Sequence, residues 1–135
     1  MSTYDRQEGA MGRDLAEYLR TGSCIGGDFS DRDLSGADLA GIDFSRANFN
    51  HAKLSGASLR GSILKNSTFI DADLSEADCS EANFSCADLT GANLLRTKFV
   101  RADLTGACLM LAEVWGMDIT GAAIRGACLG VADRF

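Results

Sequence analysis

The residues of this chain best suited to nucleophilic or metal chemistry are five cysteines and one histidine. Cys24, Cys79, Cys86, Cys108 and Cys128 include no CxxC pair, and their odd number argues against a disulfide framework. His51 stands alone, so neither a Cys–His dyad nor a tetrahedral zinc set has a clear second member. Serine offers more candidates at Ser30, Ser35, Ser45, Ser55, Ser75, Ser80 and Ser85. No base lies at a defined spacing from any of them, and they read as outward turn residues. The many Asp residues recur with a period, as solvated faces of a scaffold do, and not as paired catalytic carboxylates. The residue inventory therefore predicts no enzyme, no cofactor and no metal site.

The period belongs to the element that must position everything else. An apolar residue occupies every fifth position from Phe29 to Leu129, through Leu34, Leu39, Phe44 and Phe49 to Ile119 and Ile124. Cys24 and Cys79 fall in this column and read as core residues. Two residues before each centre runs a column of small residues, mostly Ala (Ala37, Ala47, Ala52, Ala57, onward to Ala127), broken by Arg32, Ile42 and Met117. A spacing of five fits neither a helix nor a simple strand. Self-similarity this strict indicates a solenoid. One large and one small inward residue per five suits a narrow tube filled by its own side chains. Glycine often stands two residues after a centre, as Gly36 and Gly41 do, where a type II turn needs positive φ. Corners holding Asp31, Arg46, His51, Glu76 or Arg96 must use another turn geometry or accept strain.

The stretches Ala37-Asp38-Leu39, Ala47-Asn48-Phe49 and Ala87-Asp88-Leu89-Thr90-Gly91-Ala92-Asn93-Leu94 resemble the A(D/N)LXX motif of the pentapeptide repeat family. The likeness runs over roughly residues 24 to 133. It implies an all-β solenoid, a right-handed quadrilateral parallel β-helix with four pentapeptides per coil and about five coils. Residues 1–23 would form a polar tail and an N-terminal capping α-helix, and residues 24–135 the repeat. The helix is expected over 11–21, where Met11, Leu15, Tyr18 and Leu19 recur at helical spacing and Gly22 can end it. It would cover the open apolar end and unpaired edges that a β-helix leaves. Arg32 falls in the inward column of the first coil. Burying an unpaired guanidinium is costly, so that coil is expected to be irregular and Arg32 to escape to solvent.

Twenty residues per coil, taken from the resemblance, predict which surface residues stack. Asp33, Lys53 and Asp73 form one column, Asp78, Lys98 and Asp118 another, and Asp31, His51 and Asp71 share a corner. Glu76 falls under Arg96, and Glu81 under Arg101. Cys108 and Cys128 become neighbours about 4.8 Å apart. Parallel stacking aims their side chains alike, so a bridge between them is not expected. The net charge of −6 is banded by coil: 24–43 is strongly acidic, 44–63 is basic through Arg46, Lys53 and Arg60, and 64–83 is acidic again.

Partners follow from these surfaces. The net charge and the short basic band argue against nucleic-acid binding, and no apolar run reaches membrane-span length. No signal peptide is evident, so a cytoplasmic site is expected. The main reading is a non-catalytic scaffold for a protein partner. The alternative that the resemblance brings is mimicry of DNA toward a type II topoisomerase, DNA gyrase, which some relatives bind. The basic band interrupts the acidic face that mimicry needs. Turn positions become apolar toward the C-terminal end at Leu95, Val100, Met110, Leu111, Trp115 and Val131, with Phe135 beyond. Exposed apolar groups of this size mark an interaction surface unless the tail covers them. Because no capping helix follows, a C-terminal homodimer is also expected, as some relatives form one.

Overall fold

The computed structural model describes residues 15–21 and 23–130. Helix α1 spans Leu15–Thr21. The expected helical positions before Leu15, and Gly22 after it, lie outside the described residues. From Ser23 onward the backbone turns every five residues and pairs with itself at one fixed offset. Every parallel bridge joins residue n to n+20, from Ser23 with Asp43 to Cys108 with Cys128. Four five-residue sides therefore close each coil.

Bridges replace strands in this tube. Two of every five residues are spent on a turn, which leaves a single residue per side in bridging geometry. The pentapeptide around Leu74 shows how such short sides hold together. Asp73 N–H donates to Ala52 in the coil before (2.9 Å), while Leu74 and Glu76 donate to Asn93 and Leu95 in the coil after (2.8 and 2.9 Å). Ala77 N–H closes the turn on the Leu74 carbonyl (3.0 Å). The fifth amide, Ser75, donates to the Asp73 carboxylate at 2.9 Å. All five donors are matched, as a wall of backbone against a dry core requires.

The turn geometry is uniform. At every described corner the second turn residue has positive φ, whether it is Gly36 (69°) or one of the non-glycine residues. Asp31, Arg46, His51, Glu76 and Arg96 do not switch to another turn; their φ values lie between 54° and 61°. The reason is the ladder: His51 N–H donates to Ile70 in the next coil (2.9 Å), and only the left-handed conformation aims it there. Each such residue carries strain of about 1 kcal/mol. His51 is exposed, so His51→Gly should relieve strain without losing packing. We expect a stability gain of about 0.5 kcal/mol after the entropy cost of glycine, read as a higher urea midpoint. An unchanged or lower midpoint would show that this corner is not strained.

Inside, the centre column is sealed. Phe29, Leu39, Phe49, Leu54, Phe69 and Phe84 are all 0% exposed. Phe29, Phe49 and Phe69 stack along one column with ring centroids 5.1 and 4.9 Å apart, and Phe44 meets Phe29 and Phe49 edge-on. Where the small column carries a hydroxyl, it bonds the wall: Ser62 and Thr97 donate to the carbonyls of Leu39 and Leu74, each at 2.7 Å. Burial raises the proton affinity of the Cys79 thiol, first by desolvation and then through Asp78, so it stays protonated and inert.

Two expectations for the first coil are corrected. The coil is regular, with Arg32 N–H closing its turn on Phe29 (3.3 Å) and Lys53 N–H bonding the Arg32 carbonyl (2.8 Å). Arg32 is also buried, at 3% exposure, with its guanidinium carbon 5.8 Å from the centroid of the Phe29 ring. Arg32 and Tyr18 both meet the Phe29 ring at this end of the tube, and the cation–π contact offsets part of the guanidinium's desolvation. Helix α1 lies on the same end. Tyr18 meets Phe29 edge-on at 5.3 Å, and Tyr18 and Leu19 are partly buried against the core.

Candidate protein-interaction surface

The outward columns are fixed by the bridges, so each candidate residue can be placed. His51 is exposed on the corner column between Asp31 and Asp71. The serines are tied into the turns. Ser30, Ser45 and Ser75 give both N–H and hydroxyl to the carboxylates of Asp28, Asp43 and Asp73, with hydroxyl distances of 2.7, 2.6 and 2.6 Å. Ser80 departs from the outward expectation and is 3% exposed. The Arg60 guanidinium straddles it, reaching Asp78 and Glu81 at 3.2 Å each.

The Asp and Asn residues before the centres do more than solvate a face. Their side-chain oxygens accept the N–H of the first turn residue at Asp28, Asp33, Asp38, Asn48, Asn83, Asp103 and Asp118, among others. Side-chain and backbone hydrogen bonds from Ser35, Ser45, Thr105 and Thr120 hold the carboxyls of Asp33, Asp43, Asp103 and Asp118 below the usual range. A carboxyl depressed in the folded state adds stability above its unfolded pKa and loses it as pH falls through the folded one. Unfolding free energy should therefore be flat near neutrality and decline below about pH 4. Replacing these four Asp with Asn, which keeps the acceptor oxygen, should flatten that decline in urea titrations across pH. An unchanged acid slope would remove the assignment.

The charge columns form as stacked. Glu76 meets Arg96 and Glu81 meets Arg101, both at 3.6 Å and more than half exposed. Such pairs contribute at most about 1 kcal/mol each. Charge is also sorted around the tube, which banding by coil did not reveal. Bridge and corner registers put Asp28, Asp31, Asp33, Asp71, Asp73 and Asp88 along one edge, with Lys53 the one exposed Lys or Arg described among them. Arg46, Lys65, Arg60, Arg101 and Arg125 lie around the opposite side, where Asp43, Glu81 and Asp103 also fall.

The predicted apolar residues separate into two groups. Leu111 is 78% exposed, Trp115 70% and Met110 42%. They sit on neighbouring corners of one coil, with exposed Glu113 on the side between and half-buried Leu95 stacked against Trp115. Val100 is half-buried on the corner beyond, away from Leu111. Val131 and Phe135 lie outside the described residues.

The same coil ends an open surface. Phe99, Leu104 and Leu109 are 0–1% exposed, yet Ile119 and Leu129, one coil later in the same columns, are only partly buried and Ile124 is 39% exposed. Met117 and Ala122 of the small column are likewise partly open. Among the described residues, the amides of Ile119 and Ile124 make no backbone bond, whereas Phe99 and Leu104 beneath them donate to Asp118 and Ala123. Trp115, Leu111 and this open end form one apolar region.

The comparisons agree with this architecture. HetL, a Nostoc pentapeptide repeat protein involved in heterocyst differentiation regulation, matches with a TM-score of 0.61 and 26% identity over 79% of this chain and 57% of HetL. Another pentapeptide repeat protein from Nostoc gives 0.66 and 28%, over 77% and 90% of the two chains. A thylakoid-lumen pentapeptide repeat protein of Arabidopsis thaliana gives 0.53 and 33%, over 78% and 64%. The chain thus spans less than two thirds of HetL and of the Arabidopsis protein. No curated protein sequence matches it. The Pentapeptide repeats family profile matches residues 28–66, 62–99 and 72–110, in 8 copies. With five-residue sides, n+20 pairing and these matches together, the chain is a right-handed β-helix solenoid and belongs to the pentapeptide repeat family.

Proposed function

We propose that this chain is a non-catalytic protein-interaction scaffold whose docking face is the C-terminal end of the tube. The observation that carries the reading is the loss of burial along the inward columns at Met117, Ile119, Ile124 and Leu129, beside exposed Leu111 and Trp115. Apolar surface of this kind, next to backbone donors that make no backbone bond among the described residues, gains from a partner that brings both apolar cover and carbonyls at five-residue spacing. A second copy of the chain has that spacing, so a C-terminal homodimer is the simplest occupant. At the other end α1 acts as the cap, its Tyr18 on Phe29. No described helix is long and apolar enough to cross a membrane. The described cysteines are all free, which suits a reducing compartment such as the cytoplasm.

Sedimentation velocity at tens of micromolar tests the reading. The wild type should sediment as a dimer, and Leu111→Asp with Trp115→Ala should return it to monomer while the far-UV spectrum stays unchanged. A wild-type monomer, or a dimer indifferent to both substitutions, would overturn it.

The topoisomerase alternative has the acidic edge in its favour. Five rungs of about 4.8 Å cover a length over which duplex DNA carries roughly 14 charges. The edge offers far fewer carboxylates, and Lys53 divides them. The scaffold reading therefore expects no inhibition of gyrase supercoiling at micromolar concentration. Inhibition there would put DNA mimicry in its place.

A further inference from the structure

We propose that Cys108 and Cys128 form a two-thiolate site for a soft monovalent ion, with cuprous copper as the ligand. The two residues are paired across adjacent coils by a parallel bridge. Leu109 N–H donates to the Cys128 carbonyl (2.6 Å) and Cys128 N–H to Ala107 (2.8 Å), which fixes their register. Both thiols are free; Cys108 is half-buried and Cys128 exposed, so an ion can reach them from solvent.

Geometry separates this pair from a disulfide. In-register rungs lie about 4.8 Å apart and project their side chains in parallel, so the Cβ separation stays near that value. A disulfide needs about 3.5–4.5 Å between Cβ atoms, and closing the gap would buckle a side that the ladder holds. Zinc–thiolate bonds, which set the scale for a metal–thiolate bond, are about 2.3 Å long. Two of them end to end span about 4.6 Å, close to one rung, so an ion midway between the sulfurs meets both in a near-linear arrangement.

The ion class follows from the donor set. Among the described residues no group of three or more His, Cys, Asp or Glu converges to hold a metal, so a four-coordinate zinc cage is not available. Soft thiolates select Cu(I), which two sulfurs can satisfy. In the free protein Thr90 gives its hydroxyl proton to Asp88 and its oxygen lies 3.6 Å from the Cys108 sulfur, on the side of the preceding coil; this contact is given up when the thiolate turns to the ion. Binding releases both thiol protons to solvent, forms two Cu–S bonds and leaves the copper oxidation state unchanged.

The test is an anaerobic titration of the full chain with cuprous ion against a chromogenic copper(I) chelator. We expect one ion retained per chain, at least tenfold weaker retention in Cys108→Ser and in Cys128→Ser, and no change in Cys86→Ser. Circular dichroism of each variant separates lost ligation from lost fold. A second measurement exposes the chain to glutathione disulfide, and both thiols should remain free of a mutual bond by mass. Retention unaffected by either serine substitution, or a Cys108–Cys128 disulfide forming readily, would overturn the proposal.

Discussion

Phe49→Ala should be among the most damaging single substitutions in the tube, lowering stability by about 3–5 kcal/mol. Phe49 is wholly buried and meets three other rings, Phe29, Phe44 and Phe69, at 4.9–5.1 Å. Truncation removes its own burial and strips contacts from all three neighbours at once. The wall cannot collapse into the gap, because each coil is pinned above and below through bonds such as Phe49 N–H to Thr68 (2.8 Å) and Asn48 N–H to Gly27 (2.8 Å). A stack of repeats passes such damage along its axis, since each coil is stabilised by its neighbours. Urea unfolding should show the loss, and a cost below about 1 kcal/mol would mean that the core relaxes far more than a fixed ladder allows.

Gly27→Ala should also destabilise, although alanine is the residue that this column favours. A Cβ at position 27 would stand 2.6 and 2.8 Å from two atoms of the Phe29 ring and 3.0 Å from the Cys24 carbonyl. The ring cannot withdraw, because Tyr18 lies on it at 5.3 Å, Phe44 and Phe49 pack against it, and Arg32 runs along it. Overpacking of this kind costs about 1–3 kcal/mol. Thermal unfolding of Gly27→Ala should therefore start lower than wild type. Pairing the change with Tyr18→Ala, which frees space above the ring, should recover part of the loss. If Gly27→Ala is neutral or stabilising, the N-terminal end is packed differently from this description.

The central architecture was legible because it is periodic. Inward columns repeat at five residues, and pairing at twenty places Glu76 on Arg96 and Glu81 on Arg101 as expected. What periodicity could not convey lay at the ends and in the turns. Arg32 reads as too costly to bury because its contact with the Phe29 ring, and the placement of Tyr18 on the same ring, are tertiary facts. Turn propensity alone leaves corner strain open between two outcomes, since it does not register the ladder bond that holds His51 and Glu76 in positive φ. The turn-capping role of Asp was present as Asp or Asn two residues before Ser or Thr, but it read as solvation. Ser80 is buried beside the ion pairs of Arg60, whose reach to Asp78 and Glu81 crosses columns and escapes a strict n+20 rule.

Of the proposed interaction surface, Met110, Leu111 and Trp115 are legible as apolar residues in turn positions, and they are exposed. Val100 shared that signal but lies on another corner, because a linear list does not show which corner a turn belongs to until the coil length is known. The open columns at Ile119, Ile124 and Leu129 carry the same residue types as the sealed ones below them. Among the described residues no later coil covers them, and that is not visible in their residue types.

Hydrogen exchange read coil by coil against protein concentration tests the docking end most directly. Association through that end predicts that amides in 114–130 gain protection as concentration rises into the tens of micromolar, while those in 24–43 do not change. Exchange in 114–130 that is independent of concentration, or protection that appears first in 24–43, would contradict it.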